Sequence, residues 1–179
     1  MDVRGVRRLF IIFFACLVLV AAGLFAYWVL AAPVVVKGVV QFKAVTGIRD
    51  GAVYTIIVNR PLKNGSWILV KDGDYLGYFG DGWNVLVNKS TEHALRSKYR
   101  EVKYIVSIRL ESWDPVNGVE PGEALAYLTT REVFNRVRIG DVVEALVSRT
   151  EKAAIIYAHP LPRVSNNLNQ LNRILQDID

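Results

Sequence analysis

Hydrophobic residues form one long run near the N-terminus before the pattern along the chain changes. From Leu9 to Ala32 there are 24 residues without a charge. At a rise of about 1.5 Å per residue, a helix of this length covers about 36 Å. A bilayer core is about 30 Å thick, so the run predicts a single transmembrane helix with some tilt. Tyr27 and Trp28 lie near its end, where aromatic side chains favour the membrane interface.

The charges that flank this run predict its orientation. Arg4, Arg7 and Arg8 precede it, whereas the first basic residue after it is Lys37. The positive-inside rule then places residues 1–8 in the cytoplasm and the C-terminal domain outside. The sequence therefore predicts a signal anchor in the cell membrane, with the lipid bilayer as its first partner.

Other interpretations of the N-terminal run remain open. A cleaved signal peptide has an apolar stretch of about 7 to 15 residues, shorter than this one, yet Ala31 and Ala32 resemble a cleavage site. Cleavage would make the protein a secreted structural subunit. Within the run, Ala22 and Ala26 have the spacing that lets two helices approach closely, so self-association through this helix is a further hypothesis.

From residue 34 onward the pattern changes to short runs rich in β-branched and aromatic residues, which favour strands. Predicted strands in the first half cover residues 34–42, 52–59, 66–71, 75–79 and 83–87. Asp-Gly pairs stand at 50–51, 72–73 and 81–82. Such pairs adopt positive φ readily and favour tight hairpin turns. Residues 52–88 are therefore predicted to form a meander of four antiparallel strands.

Helices and strands alternate in the second half. Ser90 or Thr91 is predicted to cap a helix that runs to about residue 99, with Glu92 in its first turn. Residues 102–113 alternate as in a half-buried strand. The buried face of this strand is predicted to hold Tyr104, Val106, Ile108 and Leu110.

Residues 114–122 have the composition of a loop, and residues 123–128 fit either a helix or a strand. Residues 131–137 are predicted to form a short helix after Thr130, and residues 142–147 and 153–158 a second hairpin.

The last predicted element is an amphipathic helix over about residues 165–178. Its apolar stripe holds Leu168, Leu171, Leu175 and Ile178. These positions lie on one face of a helix, whereas the other face is polar. The stripe either packs on the domain's own sheet or binds a partner, including a second copy of the chain.

These elements together predict a mainly β (α+β) fold. After the transmembrane helix we expect a small β-sandwich or a partly open barrel with two or three short helices, then the C-terminal amphipathic helix. The expected segments are a cytoplasmic N-terminus (1–8), the anchor (9–32), an extracytoplasmic β-rich domain (33–162) and the C-terminal helix (163–179).

Composition narrows the classes of function. Hydrophobic residues make up 52% of the chain and charged residues 22%, which favours a packed core over disorder. The net charge is +5, of which residues 1–8 carry +2. The remaining surplus is small, so nucleic-acid binding is not expected. One methionine and three glutamines in 179 residues favour a heat-adapted protein.

The residues that usually carry chemistry form no motif. The single cysteine, Cys16, lies in the apolar run, so the outer domain lacks disulfides and thiolate metal sites. His93 and His159 stand far apart, and no metal or cofactor is predicted. The serines stand in no nucleophile elbow. The residues that remain are an acidic loop (Glu111, Asp114, Glu120, Glu123), a basic stretch (96–109) and two glycosylation patterns (Asn64, Asn88).

The function that these observations favour is structural or interactive. We expect an anchored subunit of an envelope or surface assembly, including one encoded by a virus or a mobile element. A membrane-anchored hydrolase is the alternative enzyme hypothesis, and the secreted subunit is the third. No catalytic residue is assigned.

Overall fold

A computed structural model of the chain describes residues 3–62, 65–73 and 84–162. Its elements, in chain order, are α1 (Val3–Ala31), β1 (Val34–Arg49), β2 (Ala52–Leu62), β3 (Gly65–Val70), α2 (Lys89–Lys98), β4 (Glu101–Leu110), β5 (Ala124–Thr129), α3 (Arg131–Arg136), β6 (Val142–Val147) and β7 (Ala154–Pro160). The fold is mainly β, as the alternation of the sequence predicted.

Five of the strands close into a barrel. The order around it is β1, β4, β5, β7 and β6, and β6 pairs again with β1. All pairs are antiparallel except β5 with β7, which are parallel over only two residue pairs. The hairpin of β2 and β3 extends the sheet from the far half of β1. The sequence predicted either a small sandwich or a partly open barrel, and the structure is a barrel.

The connection from β5 to β6 contains α3, and it places β6 between β7 and β1. Small five-stranded barrels in which the chain leaves the simple meander order in this way are Greek-key barrels, a class that includes the OB fold. Such an architecture carries many unrelated functions, so function has to be argued from sites.

The long strand β1 closes the barrel, because it pairs with β6 along one edge and with β4 along the other. Its residues 34–39 pair with β6, and residues 38–48 pair with β4. Gly38 lies where the two pairings overlap, and a Cβ atom added there would stand 2.3 Å from the carbonyl oxygen of Arg109. The strand then passes an irregularity between Val40 and Phe42, beyond which it also pairs with β2. Such irregularities let a strand bend sharply enough to close a small barrel.

The core fills the barrel from the inward faces of its strands. On β4 the predicted face is confirmed, since Tyr104, Val106, Ile108 and Leu110 are all buried. Helix α3 contributes Phe134, which is fully buried and contacts the Tyr104 ring at a centroid distance of 5.5 Å.

Several predicted elements are confirmed, including the second hairpin (β6 and β7) and the loop at 114–122. Thr130 caps α3 by accepting a hydrogen bond from the N–H of Val133. The undecided segment 123–128 is largely strand β5. Helix α2 begins earlier than predicted, because Asn88, rather than Ser90 or Thr91, is its cap and accepts from the N–H of Thr91 at 2.7 Å.

Two strand predictions need correction. Strand β1 does not end at residue 42 but continues to Arg49. Residues 84–87 form no strand, so the predicted four-stranded meander is wrong at its last member. This segment is held by side chains instead, since the Asn135 amide bonds both the N–H and the carbonyl of Val87 at 2.8 Å. The predicted strand at 75–79 and the C-terminal helix lie outside the described residues.

Helix α1 stands apart from the domain core. Its stretch Ile12–Ala31 has a mean hydropathy of 2.4, is long enough to cross a membrane, and is not buried against the rest of the protein. Only two residues separate α1 from β1. The Arg149 side chain, in the β6–β7 turn, donates a hydrogen bond of 2.9 Å to the carbonyl of Ala32 in this link.

We predict that Gly38→Ala destabilises the barrel. The added methyl group would meet backbone atoms of β4, which cannot move without opening the pairing, and such overpacking typically costs about 1–3 kcal/mol. Thermal unfolding of the detergent-solubilised chain, followed by circular dichroism, should show a lower Tm. The control is Gly23→Ala, because a Cβ at Gly23 has nothing within 4 Å. Equal Tm values for the two variants would contradict the closure argument.

Candidate functional site

The turn between β1 and β2 lies at the opposite end of β1 from the apolar helix. Asp50 and Gly51 both have positive φ (53° and 76°), so the Asp-Gly pair forms the tight turn that the sequence predicted. Arg49 and Ala52 pair directly beneath it. The exposed side chains of Val53 and Tyr54 follow on β2.

A polar cleft of about 210 Å³ opens beside this turn. We call it the distal cleft. Its lining comes from β1, β2, the segment after β3 and the end of α2, and its functional side chains are Arg49, Tyr54, Lys71, Asp72, Lys98 and Tyr99. Three of these side chains are cationic and one is a carboxylate, so the cleft has a surplus of positive charge.

Asp72 organises one wall of the distal cleft. Its carboxylate accepts hydrogen bonds from the Lys98 ammonium at 2.8 and 3.0 Å and from the Tyr99 hydroxyl. Burial, together with the bond to Asp72, raises the pKa of Tyr99 to about 12. The Tyr99 hydroxyl is therefore protonated at neutral pH and donates its hydrogen bond to Asp72.

Arg49 forms the opposite wall. Its guanidinium lies over the Tyr54 ring at 5.0 Å and over the Tyr99 ring at 5.9 Å. Stacking of this kind holds the cation in place while its N–H groups still face solvent. Its contact with Asp50 is 3.6 Å long and lies at the surface, where screening makes such pairs weak.

The cleft depends on a glycine below Tyr99. A Cβ atom at Gly47 would stand 2.4 Å from the Tyr99 ring, so the ring can lie against β1 only because residue 47 has no side chain. Tyr99 is the C-cap of α2, and its N–H donates a hydrogen bond to the carbonyl of Leu95. Strand and helix thereby fix the ring from both sides.

A second notable group is a lysine inside the protein. Lys43 on β1 is fully buried, and its ammonium donates to Asn84 Oδ1 at 2.9 Å, to the Val85 carbonyl at 3.0 Å and to the Val137 carbonyl at 2.9 Å. It also lies 4.2 Å from the centre of the Phe134 ring. Three acceptors match the three donors of an ammonium group.

Lys43 cross-links β1 to the end of α3 and to the segment at 84–85. Val137 is the C-cap of α3, and a cation is favourable at the negative end of a helix. Burial lowers the pKa of Lys43 to about 7, although nearby Asp141 opposes this shift. The sequence gives little sign of this role, because Lys43 is one of three charged residues on β1.

The acidic side chains around residues 114–122 accept hydrogen bonds that hold this loop as a turn. Asp114 is buried and accepts hydrogen bonds from the Tyr127 hydroxyl, the Asn117 amide and two backbone N–H groups. Burial alone would raise the pKa of Asp114, but these bonds outweigh it and lower the pKa. Glu123 accepts from the N–H of Glu120. The loop is therefore a hydrogen-bonded turn.

The other candidate residues do not meet in one place. His93 lies on α2 and His159 on β7, and the part of the chain that is described contains no group of three or more metal-binding side chains. The basic stretch is divided among ion pairs, since Arg96 binds Glu92, Lys98 binds Asp72 and Lys103 binds Glu101. Ser97 and Ser112 are hydrogen-bonded to backbone groups.

The remaining predicted positions are distributed as follows. Tyr27 and Trp28 are exposed on α1. Asn88 is exposed as the cap of α2. Asn64 and the four apolar positions of the C-terminal stripe lie outside the described residues.

Comparison with known proteins does not place the chain in a family. No family model matches the chain, and neither a curated protein nor a solved structure matches it. The distal cleft and the uncovered helix therefore carry the functional argument.

We predict that Lys43 makes stability depend on pH. Between about pH 7 and 10.5 the unfolded chain binds a proton at Lys43 that the folded chain has released, so the free energy of unfolding rises with pH in this window. Denaturant unfolding of the full chain in detergent at pH 6.5 and 9.5 measures the rise.

Lys43→Met should remove this part of the rise. It should also lower stability by about 1–3 kcal/mol, because buried acceptors lose their donor. Lys37→Met is the matched control, since Lys37 is an exposed lysine on the same strand. A Lys43→Met variant that keeps the pH dependence of the unchanged protein would refute the assignment.

Proposed function

We propose that the protein is a single-pass membrane anchor that presents an extracytoplasmic barrel to a partner in a surface assembly. The observation that carries this proposal is the uncovered apolar helix. Twenty residues, Ile12–Ala31, leave their apolar side chains unburied by the protein. So large an exposed apolar surface is unfavourable in water and is matched by the interior of a bilayer.

The short link between helix and barrel supports a presenting role. Two residues, together with the bond from Arg149 to the Ala32 carbonyl, keep the barrel close to the end of the helix. A domain confined in this way meets partners in the same membrane at high effective concentration, so weak contacts suffice. The three arginines in the first turns of α1, before its apolar stretch, favour an N-terminus in the cytoplasm.

The distal cleft is the surface that we propose for the partner. It lies at the far end of β1 from the anchor, and its exposed Lys71 and stacked Arg49 favour an acidic group. Tyr54 adds an exposed aromatic face beside these cations. Arginine and tyrosine are also the residues that interfaces use most for affinity.

The second candidate is a secreted subunit whose helix is removed. The observation in its favour is that residues 31–33 precede the first strand, so cleavage before Val34 would leave the barrel strands complete. The distal cleft would still be the partner surface, but the high effective concentration that comes from anchoring would be lost.

We predict that the chain stays in the membrane after an alkaline carbonate wash and keeps its full mass of 20.1 kDa. Protease added to intact cells should degrade the barrel domain. A Leu17→Arg, Leu24→Arg variant should be released by the wash, because each charge at the bilayer centre is costly. Recovery of a mature form that lacks the helix would instead establish the secreted subunit.

We predict that a photo-crosslinking residue at position 53, beside the distal cleft, captures one partner of discrete mass in native membranes. Arg49→Gln together with Lys71→Gln should abolish capture, because the cations that attract the acidic group are gone. Lys152→Gln is the control, since Lys152 lies in the β6–β7 turn. Capture that survives the double variant would exclude the cleft as the partner site.

A further inference from the structure

The outer face of β1, β6 and β7 carries two cross-strand rows of side chains. Val35, Leu146 and Tyr157 are register partners and form an apolar row. Lys37, Glu144 and His159 are register partners two residues further along β1 and form a polar row. We call the two rows together the proximal face.

The proximal face is largely unburied by the barrel itself. Val35 is 58% exposed and Tyr157 is 45% exposed, and every member of the polar row is exposed. A groove of about 330 Å³ runs over it, lined by Val35, Glu144, Ala145, Leu146, Tyr157 and His159. The lining is predominantly apolar, with polar side chains at Glu144 and His159.

The apolar row lies beside the end of the membrane helix. Val35 follows Ala31, the last residue of α1, by four positions. Four residues span at most about 3.6 Å each, so Val35 stands within about 14 Å of the helix end. The bond from Arg149 to the Ala32 carbonyl holds the β6–β7 turn to the same link. The polar row comes one step further from the helix.

The order of these rows matches the chemistry of a bilayer surface. Tyrosine favours the boundary between acyl chains and headgroups, with its ring in the apolar zone and its hydroxyl in water. The Arg136 guanidinium lies 4.7 Å from the centre of the Tyr157 ring, which places a cation where lipid phosphates would stand. Trp113 adds an exposed aromatic residue directly after Ser112, which bonds the Lys37 N–H.

We propose that the proximal face is a lipid-contact surface, which rests on the outer leaflet of the bilayer that holds α1. The apolar row enters the boundary between acyl chains and headgroups, and the polar row lies among the headgroups, shielded from bulk water. This inference depends on the proposed function, because it requires that the helix is retained as an anchor. Its consequence is a fixed orientation, in which the barrel lies down on one side near the helix and the distal cleft is held away from the lipid.

Spin labels on the full chain test this placement in vesicles of phosphatidylcholine and phosphatidylglycerol. The native Cys16, the only cysteine, reports on the anchor. In a Cys16→Ser background, a label at Glu144→Cys reports on the proximal face and a label at Val53→Cys reports on the distal end. We expect the label at 144 to be severalfold less accessible than the label at 53 to a water-soluble nickel chelate, and more accessible to oxygen.

Substitution of two members of the apolar row should make the label at 144 accessible to the chelate. With Val35→Ser and Tyr157→Ser added, accessibility of the label at 144 should rise severalfold, towards that at 53. The matched control is Leu86→Ser with Leu128→Ser, because these two side chains are also exposed and apolar but lie outside the proximal face. Protection that persists without the apolar row would overturn the proposal.

The remaining outcomes separate this inference from the proposed function. If the label on Cys16 lies deep in the bilayer but positions 144 and 53 are equally accessible to the chelate, the lipid-contact surface is wrong and the anchor stands. If the Cys16 label is itself open to the chelate, both proposals fail. Spin–spin broadening at 144 would assign the face to a second copy of the chain and would also overturn lipid contact.

Discussion

The fold depends on one strand, β1, that has to pair with three other strands. Strand β1 joins β6 near the membrane helix, β4 through its middle and β2 at its far end. It must therefore bend while its hydrogen bonds remain satisfied, and the ladder irregularity after Val40 and the bare backbone at Gly38 allow this. Without that bend the barrel would remain an open sheet with two unpaired edges, which proteins avoid.

The same strand sets the distance between the proximal face and the distal cleft. Its first residues carry the apolar side chains beside α1, and its last residue, Arg49, belongs to the distal cleft. A strand rises about 3.3 Å per residue, so the 16 residues of β1 separate these two surfaces by several nanometres of chain, less what the bend takes up. A single strand thus connects the end of the domain nearest α1 to the end that carries the cleft.

Polar cross-links inside the domain join irregular segments of the chain to its strands and helices. Lys43 joins β1 to the cap of α3 and to the segment at 84–85, and Asp114 joins a loop to Tyr127 on β5. Removing a buried ammonium whose three donors are satisfied is costly, because each of its buried acceptors would lose its partner. These bonds fix irregular segments that the strand ladders do not reach.

The sequence by itself determined the features that depend on residues close together in the chain. The charge-free run, the Asp-Gly turn at 50–51, the buried face of β4 and the β6–β7 hairpin all follow from periodicity and turn chemistry within a few residues. Only the tertiary structure decided the pairing of β1 with β6, the irregular path of residues 84–87, and the meeting of Arg49 with Asp72, Lys98 and Tyr99. These features join residues far apart in the chain, and their energies come from burial and from acceptors that exist only once the barrel has closed. A lysine in an apolar strand looks the same in sequence whether it points to water or into the core, and the choice is made by what surrounds it.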